Sequence, residues 1–196
     1  MAVIDAAYSR LDRAPDMRQS VLSAVKTSLE GNRPLLLPVP TYGRGLSLAI
    51  YLYQQLGASY PIHMASKIYD QWLHVGHRSY FAHDHILDIP FDVFSTWNGK
   101  DLKLGHIYLL NDAQLAKASS RELIDGHPEL EVIMTGSLHG YGKAKSYYES
   151  GRAQFALWPN HLTYQEMGDL CHENDFKQVV PFHNPNEKCV NDVYEF

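Results

Sequence analysis

The sequence predicts an α/β protein in three layers, a mainly parallel sheet flanked by helices. Three observations carry that expectation. Short apolar runs bounded by turn residues alternate with stretches of helical periodicity nearly throughout the chain, the pattern of strand–helix–strand units. At 196 residues and 45% hydrophobic, the chain can bury a full core, and its length favours a single domain spanning 1–196. No internal repeat or low-complexity linker divides it.

Ala2-Val-Ile4 is a very short apolar run that stops at Asp5, as though the chain had been cut open there. Asp16 to Glu30 places Met17, Val21, Val25 and Leu29 at helical spacing and runs into Gly31-Asn32, so a helix with a glycine stop is expected. Leu35-Leu-Leu-Pro-Val39 reads as a buried strand. Thr41-Tyr-Gly43-Arg44-Gly45 then turns into a helix over Leu46 to Leu56, with Leu48, Ala49 and Leu52 inward and Gly57 closing it. Tyr60-Pro-Ile-His-Met64 is the next short strand, and Ser66 to Val75 a helix that turns Ile68, Trp72 and Val75 inside. The histidine-rich stretch up to His85 fits no element. Phe91 to Phe94 and Gly105 to Leu110 are strand candidates, Ala113 to Ile124 a helix, and Leu130 to Thr135 a strand. The glycine-rich Gly136-Ser-Leu-His-Gly-Tyr-Gly142 opens a polar helix or turn over Lys143 to Ser150. Gln165 to Asp175 spaces Met167, Leu170 and Cys171 for one apolar side of a helix, and Phe176 to Val180 follows as a short strand.

Bulk charge narrows the classes of function. A formal charge of −5 gives no global basic field to hold a polyanion, so any nucleic-acid contact must come from a local cluster. Cys171 and Cys189 have no CxxC spacing, which fits free thiols in a reducing cytoplasm. The N-terminus has no basic region followed by an apolar stretch, and no window approaches about eighteen apolar residues, so neither secretion nor membrane insertion is expected.

Two strand ends carry glycine beside a cation or hydroxyl, Pro40-Thr-Tyr-Gly43-Arg44-Gly45 and Thr135-Gly-Ser137-Leu-His139-Gly-Tyr-Gly142. Ligands of open α/β sheets gather at the carboxyl ends of strands. Glycine lets backbone N–H groups approach an anion, the next helix N-terminus adds partial positive charge, and Arg44 can grip phosphate bidentately. Any strand-to-helix turn also needs glycine, and neither spacing matches a Walker A loop or GxGxxG. With Ser137, His139, Lys143 and Lys145 nearby, the second turn is the better phosphate candidate. Tyr42 and Tyr141 fall in these two loops and Tyr164 in the segment Trp158-Pro-Asn-His161-Leu-Thr-Tyr164, where an aromatic ring can stack on a base.

Late in the chain, Trp158-Pro-Asn-His161-Leu-Thr-Tyr164 and Val180-Pro-Phe-His183-Asn-Pro-Asn-Glu187 each deliver a histidine at the edge of an expected element. Imidazole is both the commonest metal ligand and the usual acid or base near neutral pH, so the pair is a candidate catalytic site, although most histidines in a chain of this size are surface or hydrogen-bonded residues. His83-Asp84-His85 with Asp88 resembles the opening of a dinuclear HxHxDH motif, but Asp88 sits one place late and no closing histidine follows, so an exposed acidic loop is expected. His74 and His77 bracket the end of a helix, where a histidine meets free carbonyls.

The order of Asp5, Gly43-Arg44, Thr135-Gly136, His161 and His183 resembles the β-CASP region of metallo-β-lactamase-fold nucleases, the superfamily of ribonuclease J, Artemis and the mRNA 3′-end-processing endonuclease. Ala2 to Arg10 resembles that family's first motif, a strand ending in an acid. Leu36 to Arg44 resembles the following strand and Gly-Arg turn, Asn160-His161-Leu-Thr-Tyr164 the Ala-His-x-Asp motif, and Phe182 to Glu187 the final His-Gly-Glu motif. The resemblance implies that His183 ligates metal, that His161 donates a proton or contacts phosphate, and that Asp5 orients His161. It also implies a pair of zinc ions generating hydroxide for attack on an RNA or DNA phosphodiester.

This chain departs from the pattern. Thr163 stands in place of the motif acid and Asn184-Pro185 in place of the glycine, and no His-x-His-x-Asp-His occurs. The expectation is therefore a β-CASP-like piece of a longer zinc-dependent hydrolase whose metal half is missing, partnered by that half and by RNA or DNA and able to form a homodimer. On its own it would bind zinc weakly and be inactive. The alternatives are a non-catalytic nucleic-acid-binding or assembly domain, and a hydrolase of small molecules.

Overall fold

The computed structural model describes residues 2–5, 16–75, 89–138, 142–159, 161, 164–174, 176 and 179–182. The chain divides into two compact units, Met17–Trp158 and a smaller one formed by Met1–Asp16 with Pro159–Phe196.

The larger unit is built on a six-stranded sheet. Its strands are β2 (Leu35–Pro38), β3 (Ile62–Ala65), β4 (Phe94–Trp97), β5 (Ile107–Leu110), β6 (Glu131–Met134) and β7 (Gln154–Phe155), in the order β4-β3-β5-β2-β6-β7. Every pairing is parallel. Leu36 lies opposite Tyr108 on one side and Val132 on the other.

Strand side chains alternate between the two faces, so a run such as Leu35-Leu36-Leu37 feeds two cores at once. Leu35, Leu37, Ile107, Leu109 and Ile133 join one apolar cluster with Val21, Val25, Leu48, Leu52, Ile68 and Trp72. Those partners come from α1 (Met17–Glu30), α2 (Arg44–Leu56) and α3 (Ser66–Val75), which therefore cover one face. Leu36, Tyr108, Val132 and Met134 join a second cluster with Ile124 and Ala144, from α4 (Ala118–Gly126) and α5 (Ala144–Glu149) on the opposite face. The expected three-layer α/β architecture is thus realised. All three leucines of β2 are fully buried, and truncating one to alanine would cost about 2–5 kcal/mol. All three tryptophans, Trp72, Trp97 and Trp158, are buried as packing residues.

Several boundaries move for identifiable reasons. The helix expected from Ala113 begins only at Ala118, because the Asp112 carboxylate accepts from the backbone N–H groups of Ala116 and Lys117, both at 2.9 Å, and Leu115 takes a left-handed φ of 51°. Phe91–Val93 forms a turn of 3-10 helix, so the strand expected from Phe91 runs instead over Phe94–Trp97. Helix α2 starts at Arg44, two residues before its first apolar position. At the end of α1 the left-handed residue is Asn32, with φ 48°, rather than its glycine neighbour. The two-residue strand β7 is unforeseen.

In the smaller unit β1 (Ala2–Asp5) and β8 (Val179–Phe182) pair in parallel, with Ile4 opposite Pro181 and Asp5 opposite Phe182. Helix α6 (Tyr164–Asn174) precedes β8, and its Cys171 is buried with a free thiol whose pKa burial raises. Cys189 lies outside the described residues. Among the described residues no helix is long and apolar enough to cross a membrane.

Candidate functional site

In a parallel sheet all carboxyl ends share one edge, and ligands settle where the connections from two neighbouring strands diverge. The strand order creates such a crevice between β2 and β6, since β2 leads towards β3 on one side and β6 leads to β7 on the other. Both glycine turns singled out from the sequence open there.

Beyond β2, Val39 N–H still bonds to the Leu110 carbonyl at 2.8 Å, and the chain then turns at Gly43, whose φ of 71° lies in the region that suits glycine. Gln71 of α3 clamps this turn, its Nε2 donating to the Thr41 carbonyl and its Oε1 accepting from Gly43 N–H. Tyr42 projects into solvent, 77% exposed. Gly45 carries no side chain for a steric reason, because a Cβ there would lie 2.9 Å from Val39 Cγ2 and 3.1 Å from the Pro40 carbonyl oxygen. Without that space the first turn of α2 could not approach the end of β2.

Arg44 joins the two turns. Its guanidinium lies across the backbone of Gly136, where a Cβ would sit 2.9 Å from Nη1, and Nη1 makes a long 3.5 Å contact with the Thr135 carbonyl. Thr135 is fully buried, its hydroxyl donating to the Pro38 carbonyl at 3.4 Å, which ties the end of β6 back to β2. The same Thr135 carbonyl accepts Trp158 N–H at 2.9 Å, and Trp158 Nε1 donates to Ser47 of α2 at 3.1 Å. Ser137 follows on the exposed surface, its carbonyl held by Gln114 Nε2 at 2.6 Å, and Lys143 is exposed immediately before α5. Gly43, Arg44 and Ser137 are thus assembled at one edge of the sheet, together with the N-terminus of the thirteen-residue helix α2. A guanidinium, a glycine backbone and a helix N-terminus form a surface suited to an anion. His139 and Tyr141 lie outside the described residues.

The catalytic and metal candidates belong to the smaller unit. Asp5 closes β1 and stands opposite Phe182, the residue immediately before His183 in the chain, so strands from the two extremities of the sequence lie side by side. His183 itself lies outside the described residues, as do His77, His83, Asp84, His85 and Asp88. His161 is half-buried, three residues ahead of α6. Among the described residues no group of three or more His, Cys, Asp or Glu side chains is placed to hold a metal ion, so they do not by themselves make up a zinc site.

At the opposite, amino-terminal edge of the larger sheet is a cluster that no motif announced. His63 of β3 and His106 stack with ring centroids 5.0 Å apart, and His63 Nε2 lies 2.7 Å from His106 Nδ1. His63 Nδ1 is 2.6 Å from Ser95 Oγ, and Tyr108 stacks on the same imidazole. Burial, then the neighbouring His106 and Lys103, lowers the His63 pKa to about 4, and burial also lowers that of His106. The pair is neutral at physiological pH and serves packing. His74, as expected for a histidine in a last helical turn, meets the Asp70 carbonyl at 2.5 Å. Compared with known proteins, the chain matches no protein-family model and no curated protein sequence.

Proposed function

We propose that the chain is the substrate-gripping, β-CASP-like part of a metal-dependent hydrolase acting on RNA or DNA phosphodiesters. One observation carries this reading: Arg44 seated on Gly136, which unites two glycine turns at the ends of neighbouring parallel strands. In this reading the guanidinium and the backbone around Gly43 and Gly136 hold a backbone phosphate, and the Ser137 hydroxyl, His139 and Lys143 extend the grip. Tyr42, extended into solvent beside them, offers a ring for a base to stack on. Phosphate contacts of this kind supply affinity without reading sequence.

The pairing of β1 with β8 supports the assigned chemical roles, because it brings Asp5 beside the residue that leads into His183. Asp5 then orients His161, which passes a proton to or from the substrate. The metal is held with His183 and with ligands from outside the described residues. Zinc is the expected metal.

The experiment has two arms. Binding of a fluorescent single-stranded RNA is followed against salt, where the affinity of the native chain should fall steeply as salt rises and Arg44→Ala should flatten that slope by about one unit. RNA binding that ignores both salt and Arg44 would remove the reading. Cleavage of the same RNA by the longer protein expected to carry the metal half is then compared with and without chelator, beside His161→Ala. Loss in both supports hydrolysis, whereas binding without any chelator-sensitive cleavage leaves the alternative of a non-catalytic nucleic-acid-binding domain.

A further inference from the structure

The six-stranded sheet has a second crevice at its carboxyl edge, between β3 and β5. The connection from β3 runs outward to β4, and that from β5 crosses β2 to reach β6, so the two diverge. It lies two strand spacings, about 10 Å, from the crevice that holds Arg44. A cavity of about 360 Å³ occupies this place, at the small end of the range usual for small-molecule sites.

What lines it is chemically one-sided. Lys67 stands at the start of α3 after β3, Lys100 in the loop after β4, and Lys117 just ahead of α4 after β5, while no aspartate or glutamate lines the cavity. In a chain of net charge −5, a pocket lined by three lysines and by no aspartate or glutamate is a local reversal of sign. The loops that present the lysines are held in place. Asn98 Oδ1 accepts from the backbone N–H groups of Lys100 and Asp101, at 2.9 and 3.2 Å, and Lys117 Nζ donates to the carbonyl and Oδ1 of Asn111, at 3.1 and 3.2 Å. Helices α3 and α4 both begin at the cavity, and Ser66 and Ser119 line it there. Two positive helix ends and three lysines favour the same ligand charge.

We propose that this crevice binds the diphosphate group of a small ligand. Three lysines delivered from three neighbouring strands are spread over about 10 Å, wider than one phosphate can bridge. Their charge exceeds the 1.5 to 2 negative charges, roughly, of a phosphate monoester at neutral pH and matches that of two linked phosphates. Leu110 and Leu123 leave a modest apolar wall for the rest of the ligand. The site is separate from the Arg44 crevice and does not depend on what that crevice binds.

The probe is inorganic pyrophosphate, titrated into the full chain by calorimetry and by amide NMR. Saturable binding is expected, with the amides of Ser66, Lys100 and Ser119 shifting and with inorganic phosphate binding about tenfold more weakly. Lys67→Gln, Lys100→Gln and Lys117→Gln should each weaken pyrophosphate binding about threefold to tenfold, the triple variant should abolish it, and Arg44→Ala should leave it unchanged. All three lysines are exposed, and an unchanged melting temperature confirms that the variants fold. The absence of saturable binding, equal affinity for phosphate and pyrophosphate, or an unaffected triple variant each overturns the proposal. It is overturned as well if the triple variant loses single-stranded oligonucleotide binding while the native chain ignores pyrophosphate, for the lysines would then line a nucleic-acid track. Failure of the Arg44→Ala variant to weaken oligonucleotide binding counts only against the function proposed above.

Discussion

The two edges of the six-stranded sheet use polar residues in opposite ways. At the amino edge His63, His106, Ser95 and Tyr108 satisfy one another, stacked and hydrogen-bonded, and desolvation keeps the imidazoles uncharged. At the carboxyl edge Arg44 lies against a glycine turn, and Lys67, Lys100 and Lys117 line a crevice. Strand polarity is the cause. In a parallel sheet every helix start falls at the carboxyl edge, so anion-favouring dipoles accumulate there, while the amino edge receives helix ends and closes by packing. The carboxyl edge thus gathers cationic side chains around crevices, although Asp112 and Thr135 there also bond to the backbone, whereas the histidines of the amino edge bond and stack among themselves.

The largest expected effect tests the carboxyl edge. Arg44→Ala should weaken single-stranded RNA binding about 10- to 100-fold, the value of one charge-assisted phosphate contact. Gly136→Ala should do nearly the same, because the three atoms nearest the added Cβ all belong to the Arg44 guanidinium, the closest at 2.9 Å, and the end of that flexible side chain is unseated, leaving the melting temperature close to native. Gly45→Ala meets Val39 Cγ2 and the Pro40 backbone instead, and should cost about 1–3 kcal/mol of stability. If Gly136→Ala binds RNA as well as the native chain does, the seat is not what positions Arg44.

Next in size is Asp112, 8% exposed, whose carboxylate fixes the loop between β5 and α4. Asp112→Ala releases the N–H groups of Ala116 and Lys117 and should cost about 1–2 kcal/mol in chemical denaturation, whereas Asp112→Asn keeps one oxygen and should lose about half as much. Equal losses would mean that charge, and not the two hydrogen bonds, sets the loop.

How far these features were legible in the sequence depends on the range over which each is encoded. Ser66–Val75 was readable to the residue because Ile68 and Trp72 announce one buried side, and Leu35-Leu36-Leu37 because a strand covered on both faces is apolar throughout. Gln154–Phe155 gave no signal, as both residues are exposed and two positions have no period. The start of the helix expected over Ala113 to Ile124 was not legible, because the Asp112 side chain captures the backbone N–H groups that a helix there would use. Each glycine turn was visible alone, but their meeting depends on β2 and β6 being neighbours, which follows from the crossing order and not from any local residue. The same holds for Lys67, Lys100 and Lys117, which belong to three separate segments, and for His63 and His106, each an isolated histidine in sequence.

The amino edge is tested by acid. A histidine whose folded pKa lies at about 4 binds fewer protons than its unfolded counterpart at about 6.5, so its contribution is complete above pH 6.5 and is lost as pH falls from there towards 4. Because the pair is partly open to solvent, screening reduces the full linkage value, leaving a loss of about 1–2 kcal/mol. His63→Gln should flatten the stability curve in that window, and Arg44→Ala should not. An unaltered curve in the His63 variant would assign the acid sensitivity to another group.

The smallest effect probes a charge that the amino edge does retain. Arg33 and Glu131 meet at 2.7 Å where β2 and β6 begin, but the two side chains are 55% and 26% exposed. Water competes for both groups and salt screens them, so a double-mutant cycle of Arg33→Ala and Glu131→Ala should return a coupling of about 0.2–1 kcal/mol that shrinks as salt is added. A salt-insensitive coupling well above that range would show that charge as well as packing secures this edge, and the contrast with the open, cationic carboxyl edge would then be one of degree.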